Sequence, residues 1–295
     1  MSVPALMANF SPALHSLSLH DYPTTTCLGL SVGVAEVASR ASSHGAAEAY
    51  RPFIAAGEQH GVPLVIGEAN SASCGGQANV SNAMVGALWA IDYLSSMSQA
   101  GAAGVNFHGT GFDSDPEPYY APYAFASDGT PLVRALYYGL WAFATLVAGD
   151  DSRWLTVDAD YTAGYPAFAN TAVHAVSSGN GSVVRVAVVG KETHGDAAAQ
   201  AANVTLALDR ALSFACAGQP ATTASLVRLQ AAGGRLDATG PFTFGGQTFD
   251  GSTDGRPVGE KRVEHVAVRL VAGQPTVTFT LGVAEAAVVS VTCRA

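Results

Sequence analysis

The sequence predicts an α/β domain followed by an antiparallel all-β domain. In residues 1–149, short apolar runs alternate with longer helical patterns, which is the order of a parallel sheet covered by helices. From Trp154 onward apolar residues recur at every second position between turn clusters, which indicates a β-sandwich. The period changes at VAGDDSRW, so the predicted boundary places residues 150–295 in the second domain.

The elements of each domain follow from these two periods. Three short apolar runs are typical of buried parallel strands, at 14–20, 62–68 and 104–109. Helices are predicted over 34–61 with a break near Gly45, over 81–101 and over 131–147. The second domain is predicted to contain at least seven strands, at TAVHAV, SVVRVAVV, NVTLAL, SLVRLQ, VEHVAVRL, PTVTFTL and AVVSVTC.

Composition excludes several classes of function. Only 13% of the 295 residues are charged and the mean hydropathy is +0.23, so a disordered tail does not fit. Fourteen basic residues against 23 acidic residues give a net charge of −9, which argues against nucleic acid and anionic membrane surfaces as partners. No run of 18 apolar residues occurs, so we expect no membrane span.

Polar residues follow each predicted parallel strand, where the working residues of parallel α/β folds lie. These ends read His20-Asp21-Tyr22-Pro23, Glu68-Ala69-Asn70-Ser71 and His108-Gly109-Thr110-Gly111. A carboxylate directly after a buried run costs free energy unless it is paired or used, so Glu68 is the leading catalytic candidate. The alternative is a structural Glu68 that an arginine or a helix N-terminus satisfies.

Two stretches resemble the nucleophile region of glycoside hydrolase family 79, which contains β-glucuronidases and is related to heparanase. They are GEANSASCGGQANVSNAMVGALWAIDYL at 67–94 and GAAGVNFHGTG at 101–111. HDYP at 20–23 is similar to a His-x-Tyr-Pro motif after the sixth strand of that family. FTFGGQTFDGSTDGRPVG at 242–259 resembles its C-terminal sandwich domain.

The resemblance implies that Glu68 is the nucleophile of a retaining exo-β-glucuronidase. The substrate would carry terminal glucuronic acid or its 4-O-methyl form, and a second carboxyl group about 5–5.5 Å away would act as acid and base. In the family a Tyr-x-Pro helps to recognise the C6 carboxylate, and Tyr120 is the matching residue; this chain has Tyr119 where the family has Gly.

For each of the other strand-end residues, two roles are possible. One prediction is that His20, Tyr22 and His108 line the sugar pocket. The alternative is that they are core residues. Asn70 and Ser71 either orient the Glu68 loop or bind sugar hydroxyls, and both are also ordinary turn formers.

The resemblance further implies a (β/α)8 barrel, of which only about three strands are recognisable here. Such a barrel needs about 250 residues and eight strands. The acid/base Asn-Glu-Pro motif of the fourth strand does not occur in the sequence. We therefore expect the C-terminal part of a barrel and a missing N-terminal segment of the same protein. The alternative to an active hydrolase is a catalytically inactive fragment or carbohydrate-binding remnant.

Cysteines and sequons predict an oxidising, extracellular setting for the parent protein, although the first residues do not read as a signal peptide. The economical disulfide pairing is Cys27 with Cys74 and Cys216 with Cys293. The sequons lie at Asn9, Asn79, Asn180 and Asn203. No metal-ligand spacing or phosphate-binding glycine loop appears, so neither a metal nor a nucleotide cofactor is expected.

Overall fold

The structure is a computed structural model that describes residues 2–109, 118–149, 151–159, 169–179, 181–193, 201–208 and 223–292. Helices and strands alternate in its first part, which we call the α/β unit. In chain order they are α1 Val3–Phe10, β1 Leu17–Asp21, α2 Val34–Ala38, α3 His44–Glu58, β2 Leu64–Ala69, α4 Met84–Ala100, β3 Gly104–Phe107, β4 Tyr123–Phe125, β5 Pro131–Val133 and α5 Ala135–Leu146.

The three strands β1, β2 and β3 form a parallel sheet in chain order. Leu17 of β1 pairs with Leu64 of β2, and Val65 pairs with Gly104 of β3. Leu64 and Ile66 are fully buried, as expected for a parallel strand that helices cover. The carboxyl ends of β1, β2 and β3 therefore meet at one edge of the sheet.

The predicted 34–61 helix is divided into α2 and α3. The predicted break near Gly45 is confirmed, since α2 ends at Ala38 and α3 begins at His44, which places the break just before Gly45. The chain leaves α2 at Ser39, which is extended and whose hydroxyl oxygen accepts a hydrogen bond from Ser42 N in a short 3₁₀ turn. A serine side chain thus competes with the helix for backbone donors at this point.

The predicted 131–147 helix begins four residues later than the pattern indicated. Residues 131–133 form β5 instead, which pairs with β4 around a turn at Gly129, whose φ is +83°. A positive φ is a conformation that glycine adopts without steric cost. Helix α1 was not anticipated, because its short apolar stretch gave no clear period.

Strands make up the second part of the chain, which we call the β unit. They are β6 Arg153–Leu155, β7 Ala172–Ser177, β8 Val183–Lys191, β9 Ala202–Ala207, β10 Thr223–Ala231, β11 Phe242–Phe244, β12 Glu264–Ala267, β13 Arg269–Val271, β14 Gln274–Leu281 and β15 Ala284–Thr292. One antiparallel sheet has the order β11-β10-β15-β8-β7-β6 with β12 beside β10, and a second has the order β13-β14-β9.

The two antiparallel sheets share a hydrophobic core. Val186 of β8, Leu226 of β10 and Val289 of β15 pack in one cluster with Val277 and Phe279 of β14. The predicted single strand VEHVAVRL is divided at Val268, because β12 pairs in the first sheet and β13 in the second. Alternating apolar residues do not reveal such a transfer, since both halves keep a period of two.

Helices α4 and α5 join the two units through one continuous core. Trp141 of α5 packs edge-on against Phe244 and Phe249, with ring centroids 5.1 and 5.4 Å away. At the start of α4, Met84 N donates to Ala238 O at 2.8 Å and Val85 N donates to Leu236 O at 2.9 Å. The β unit thus satisfies backbone donors that a helix N-terminus leaves without an intrahelical partner.

A buried ionic cluster of Asp92, Lys191, His174 and Ser43 lies at the same junction. Asp92 Oδ2 is 2.6 Å from Lys191 Nζ and accepts from Ser43 Oγ at 2.5 Å, while Oδ1 is 2.8 Å from His174 Nε2. Burial alone would raise the pKa of Asp92, but Lys191 and His174 more than offset it and hold the pKa well below its ordinary value. In this Asp92 cluster, side chains of β7 and β8 compensate the negative charge of Asp92 on α4.

In the described part of the chain, no helix combines the length and the apolar content that crossing a bilayer needs.

Candidate functional site

The site is built where β1 and β2 end side by side. His20 of β1 pairs with Glu68 of β2, and the register shifts between Leu19 and His20. A register irregularity changes which way the following side chains point. His20 and Glu68 are therefore neighbours across the sheet edge, as the strand-end argument requires.

Tyr22 is the main partner of the Glu68 carboxylate. Tyr22 Oη donates to Glu68 Oε1 at 2.6 Å, and His20 Nδ1 lies 3.6 Å from Glu68 Oε2. The Glu68 side chain keeps 32% of its surface exposed, so the carboxylate is held on one side and open to solvent on the other. A carboxylate in this arrangement is oriented yet accessible to a ligand.

The pKa of Glu68 lies below its ordinary value. The hydrogen bond from Tyr22 is the largest cause, and the neighbouring His108 and His20 lower the pKa further when they are charged. Conversely, burial and the Glu68 carboxylate raise the pKa of Tyr22. Glu68 is thus ionised and Tyr22 protonated at neutral pH, which is the state that a carboxylate nucleophile needs.

A second polar pair lies beside Tyr22. His108 Nδ1 is 2.8 Å from Tyr120 Oη, and the Tyr120 ring centroid is 6.4 Å from that of Tyr22. A side chain at Gly76 would place its Cβ 2.9 Å from the Tyr120 ring, so glycine permits this close approach. The predicted residues His20, Tyr22, Glu68, His108 and Tyr120 therefore meet in one place.

Asn70 and Ser71 lie beneath this group and are buried. Asn70 Nδ2 donates to His108 O at 2.7 Å, its Oδ1 accepts from Ser71 N, and Ser71 Oγ donates to Ser81 Oγ at 3.0 Å. These bonds join the loops after β2 and β3. Their geometry favours the interpretation that Asn70 and Ser71 orient the Glu68 loop. A direct contact of these residues with a ligand stays a prediction.

A disulfide joins the loops that follow β1 and β2. Cys27 and Cys74 are bonded with Cα atoms 5.2 Å apart. Beside this bond, Thr24 Oγ1 donates to Ser71 O and Thr26 Oγ1 donates to Ser73 O, at 2.6 and 2.7 Å. The predicted pair Cys216 and Cys293 lies outside the described residues.

Three residues that support the site were not predicted from the sequence. Asp21 accepts a hydrogen bond from Tyr93 Oη at 2.7 Å, and Tyr50 Oη donates to the backbone oxygen of His20. Burial raises the pKa of Asp21 and raises that of Tyr50 to about 12. The sequence gives no signal for Tyr50 and Tyr93, because helical spacing does not show which strand a helix side chain will reach. The two tyrosines fix the end of β1, from which His20 and Tyr22 project.

Among the described residues, no group of three or more His, Cys, Asp and Glu side chains has the geometry of a metal site.

Part of the β unit matches a known protein family. Residues 173–288 match the family model described as the glycosyl hydrolase family 79 C-terminal beta domain. The resemblance to family 79 is thus confirmed for this part of the β unit. No curated protein matches the chain.

Solved structures of glycoside hydrolases have a similar fold over nearly the whole chain. One is a 4-O-α-L-rhamnosyl-β-D-glucuronidase from Fusarium oxysporum 12S in a Rha-GlcA complex, with 24% identity, a TM-score of 0.68, and coverage of 98% of this chain and 56% of that one. A family 51 arabinofuranosidase from Xanthomonas axonopodis pv. citri has 15% identity, a TM-score of 0.62, and coverage of 98% and 55%. A family 44 xyloglucanase from Paenibacillus polymyxa has 11% identity, a TM-score of 0.55, and coverage of 98% and 50%. The chain thus spans about half the length of these enzymes.

Proposed function

We propose that the chain provides the nucleophile half of a retaining exo-β-glucuronidase, with Glu68 as the nucleophile. The observation that carries the proposal is the ionised Glu68 carboxylate at the end of β2, oriented by Tyr22 and open to solvent. In this proposal the α/β unit is the C-terminal part of a (β/α)8 barrel and the β unit is a sandwich. The substrate is a glycan that ends in β-linked glucuronic acid or its 4-O-methyl form.

In the first chemical step, a Glu68 oxygen attacks the anomeric carbon and forms an ester bond to the sugar while the bond to the leaving group breaks. Tyr22 donates one hydrogen bond to Oε1 and so orients the carboxylate toward the sugar. Its phenol stays neutral because its pKa is raised, so it donates a hydrogen bond and does not compete as a nucleophile. Water then cleaves the ester and regenerates the Glu68 carboxylate.

Tyr120 and His108 are the proposed partners of the substrate carboxylate. When His108 Nδ1 carries its hydrogen, it donates to Tyr120 Oη, and the phenol hydrogen is then free to donate to an anion. This arrangement binds a carboxylate without an arginine.

Retaining hydrolysis needs a second carboxyl group that protonates the leaving oxygen. The groups that shift the Glu68 pKa in the described residues are Tyr22, His108 and His20, and none of them is a carboxyl. The alternative function is therefore a chain that binds a glucuronic-acid-containing glycan without turning it over. Secretion of the parent protein is a further part of the proposal, which rests on its cysteines and sequons.

A covalent trap tests the nucleophile without needing the acid. With 2-deoxy-2-fluoro-β-glucuronyl fluoride, Glu68 forms the C1–O bond and fluoride leaves without protonation. We expect one 2-fluoroglucuronyl adduct on the Glu68 peptide by mass spectrometry, and no adduct in Glu68→Gln. The matched control is Glu48→Gln, an exposed glutamate on α3 that pairs with Arg51, which should label like the parent chain.

Adduct formation on another residue, or equal labelling of Glu68→Gln, would overturn the assignment. A parallel assay with p-nitrophenyl β-glucuronide separates the two functions. Turnover that Glu68→Gln abolishes supports the hydrolase, whereas labelling without turnover supports the binding alternative.

A further inference from the structure

Strand β9 lies at an open edge of the second sheet of the β unit. Among the described residues it pairs with β14 alone, so its other side presents unpaired backbone N–H and C=O groups. The other terminal strands of the two sheets, β6, β11, β12 and β13, have three or four residues each, whereas β9 has six. A long edge strand is a template for pairing with another chain unless something blocks it.

The usual devices that block an edge are missing from β9. Its sequence, ANVTLA, contains no charged residue and no proline, and its pairing with β14 runs without a bulge. By contrast, β6 carries Arg153, β12 carries Glu264 and β13 carries Arg269. Short length, charge, proline and bulges are the features by which native sheets avoid edge-to-edge association. The β9 edge therefore needs protection of another kind.

The two faces of β9 differ in what they contact. Val204 and Leu206 pack against the core that the two sheets share, whereas Asn203 and Thr205 are exposed on the opposite face. Thr280 Oγ1 of β14 donates to Asn203 Oδ1 at 3.5 Å, and in the described part of the chain no hydrogen bond engages Asn203 Nδ2. The amide nitrogen of Asn203 is thus exposed and free.

Asn203 begins a sequon that ends in an exposed threonine, and this sequon differs from the others. At the first sequon, Asn9 Nδ2 donates to a backbone oxygen of α1 at 2.7 Å. In the Asn79 sequon the hydroxyl residue Ser81 is buried, and Asn180 lies outside the described residues. A bulky, hydrated group on a folded chain needs an asparagine that projects freely into solvent. Asn203 meets this condition best.

We propose that Asn203 carries an N-linked glycan that covers the β9 edge. The donor is a lipid diphosphate oligosaccharide of the secretory pathway. Asn203 Nδ2 forms a bond to the anomeric carbon of the first N-acetylglucosamine, the bond from that carbon to the diphosphate oxygen breaks, and one amide proton is released with the lipid diphosphate. The inference rests on the secretion that is part of the proposed function. The hydrated glycan then keeps a second chain from pairing with β9.

Peptide mass spectrometry tests the modification on the full chain, directed through the secretory pathway of a eukaryotic cell by a cleavable leader. We expect a glycan on the Asn203 peptide, and none in Asn203→Gln or Thr205→Ala. Thr205→Ser keeps a sequon and should keep the glycan. The matched control is Thr280→Ala, which removes the hydroxyl beside Asn203 and leaves the sequon intact. An unmodified Asn203 in the secreted chain, or a glycan that persists in Thr205→Ala, would overturn the proposal.

Sedimentation velocity of the secreted proteins tests whether the glycan covers the edge. We expect Asn203→Gln to self-associate about tenfold more tightly than the parent chain. Asn203→Lys also lacks the glycan but places a charge on the same exposed face, so it should associate no more than the parent chain. Equal association of Asn203→Gln and the parent chain would contradict the covering role. Association of Asn203→Lys as tight as that of Asn203→Gln would do the same.

The fluoride probe separates this inference from the catalytic proposal. Asn203 lies on the outer face of the β unit and takes no part in the Glu68 site, so Asn203→Gln should be labelled like the parent chain. Labelled Glu68 with an unmodified Asn203 rejects the glycan and keeps the nucleophile. A glycan on Asn203 with an unlabelled Glu68 supports the present inference and rejects the nucleophile.

Discussion

Tyr22 Oη donates to Glu68 Oε1 at 2.6 Å, across the ends of two parallel strands and between residues 46 positions apart in the chain. This bond links the conformation of the β1 end to the ionisation of the carboxylate on β2. The hydroxyl cannot leave without changing the proton affinity of Glu68, so the bond can be tested by titration.

Tyr22→Phe should raise the pKa of Glu68 toward its ordinary value of 4.5, because the largest cause of the lowered pKa is removed. When the pKa of a carboxyl group is lower in the folded protein than in the unfolded chain, its ionised form stabilises the fold at a pH above the unfolded-state pKa. That stabilisation is lost as the pH falls through the folded-state pKa. The variant should therefore show a weaker acid dependence of the free energy of unfolding. Carbon-13 NMR of the Glu68 carboxyl measures the shift, and Tyr123→Phe is the control; an unchanged titration would contradict the prediction.

Asp92→Asn should lower the free energy of unfolding by about 3–5 kcal/mol, because it leaves Lys191 buried without its charge partner. Urea unfolding at neutral pH measures the loss. The double variant Asp92→Leu with Lys191→Met removes both charges and should be more stable than Asp92→Asn alone. Asp237→Asn, which breaks an exposed pair with Arg235, is the control and should leave the midpoint unchanged. A double variant no better than the single one would argue against an electrostatic cause.

The Cys27→Ser and Cys74→Ser double variant should lose about 4 kcal/mol of unfolding free energy, from the entropy of a loop of 47 residues. The loss should be accompanied by faster amide exchange in the loops after β1 and β2, which the disulfide joins. Hydrogen exchange with mass spectrometry measures both loops. Exchange that speeds up evenly over the whole chain would indicate global destabilisation and not a local constraint.

Gly139→Ala should destabilise the fold by about 1–3 kcal/mol, because its new Cβ would lie 2.3 Å from Ala87 O on the facing helix. Thermal unfolding measures the change. Gly104→Ala is the matched control, since the nearest atom to its added Cβ is a Val65 side-chain carbon at 3.7 Å, an ordinary contact. Equal melting temperatures for the two variants would show that α4 and α5 can separate without cost.

The strand ends were predictable from sequence because a polar residue after a buried apolar run is a local signal. His20, Glu68 and His108 are found where that signal placed them, at the ends of β1, β2 and β3. The supports of the site were not predictable in this way. Tyr50 and Tyr93 reach β1 from helices whose spacing marks them only as apolar positions.

Long-range pairing explains the other differences between sequence and structure. Nothing near Asp92 in the sequence indicates Lys191, which lies 99 residues away on β8. The division of 264–271 between two sheets depends on which partner strands are available, namely β10 and β14. Local propensity also cannot distinguish β5 from the start of α5, because the preceding hairpin decides it.

The bonds from Met84 and Val85 to Leu236 and Ala238 have a consequence for how the molecule can be divided. A cut after residue 149 would leave the start of α4 without its acceptors and would expose the aromatic faces that Trp141, Phe244 and Phe249 bury together. The two units therefore cannot be exchanged independently between proteins. We expect them to melt in a single transition and to be inherited as one piece.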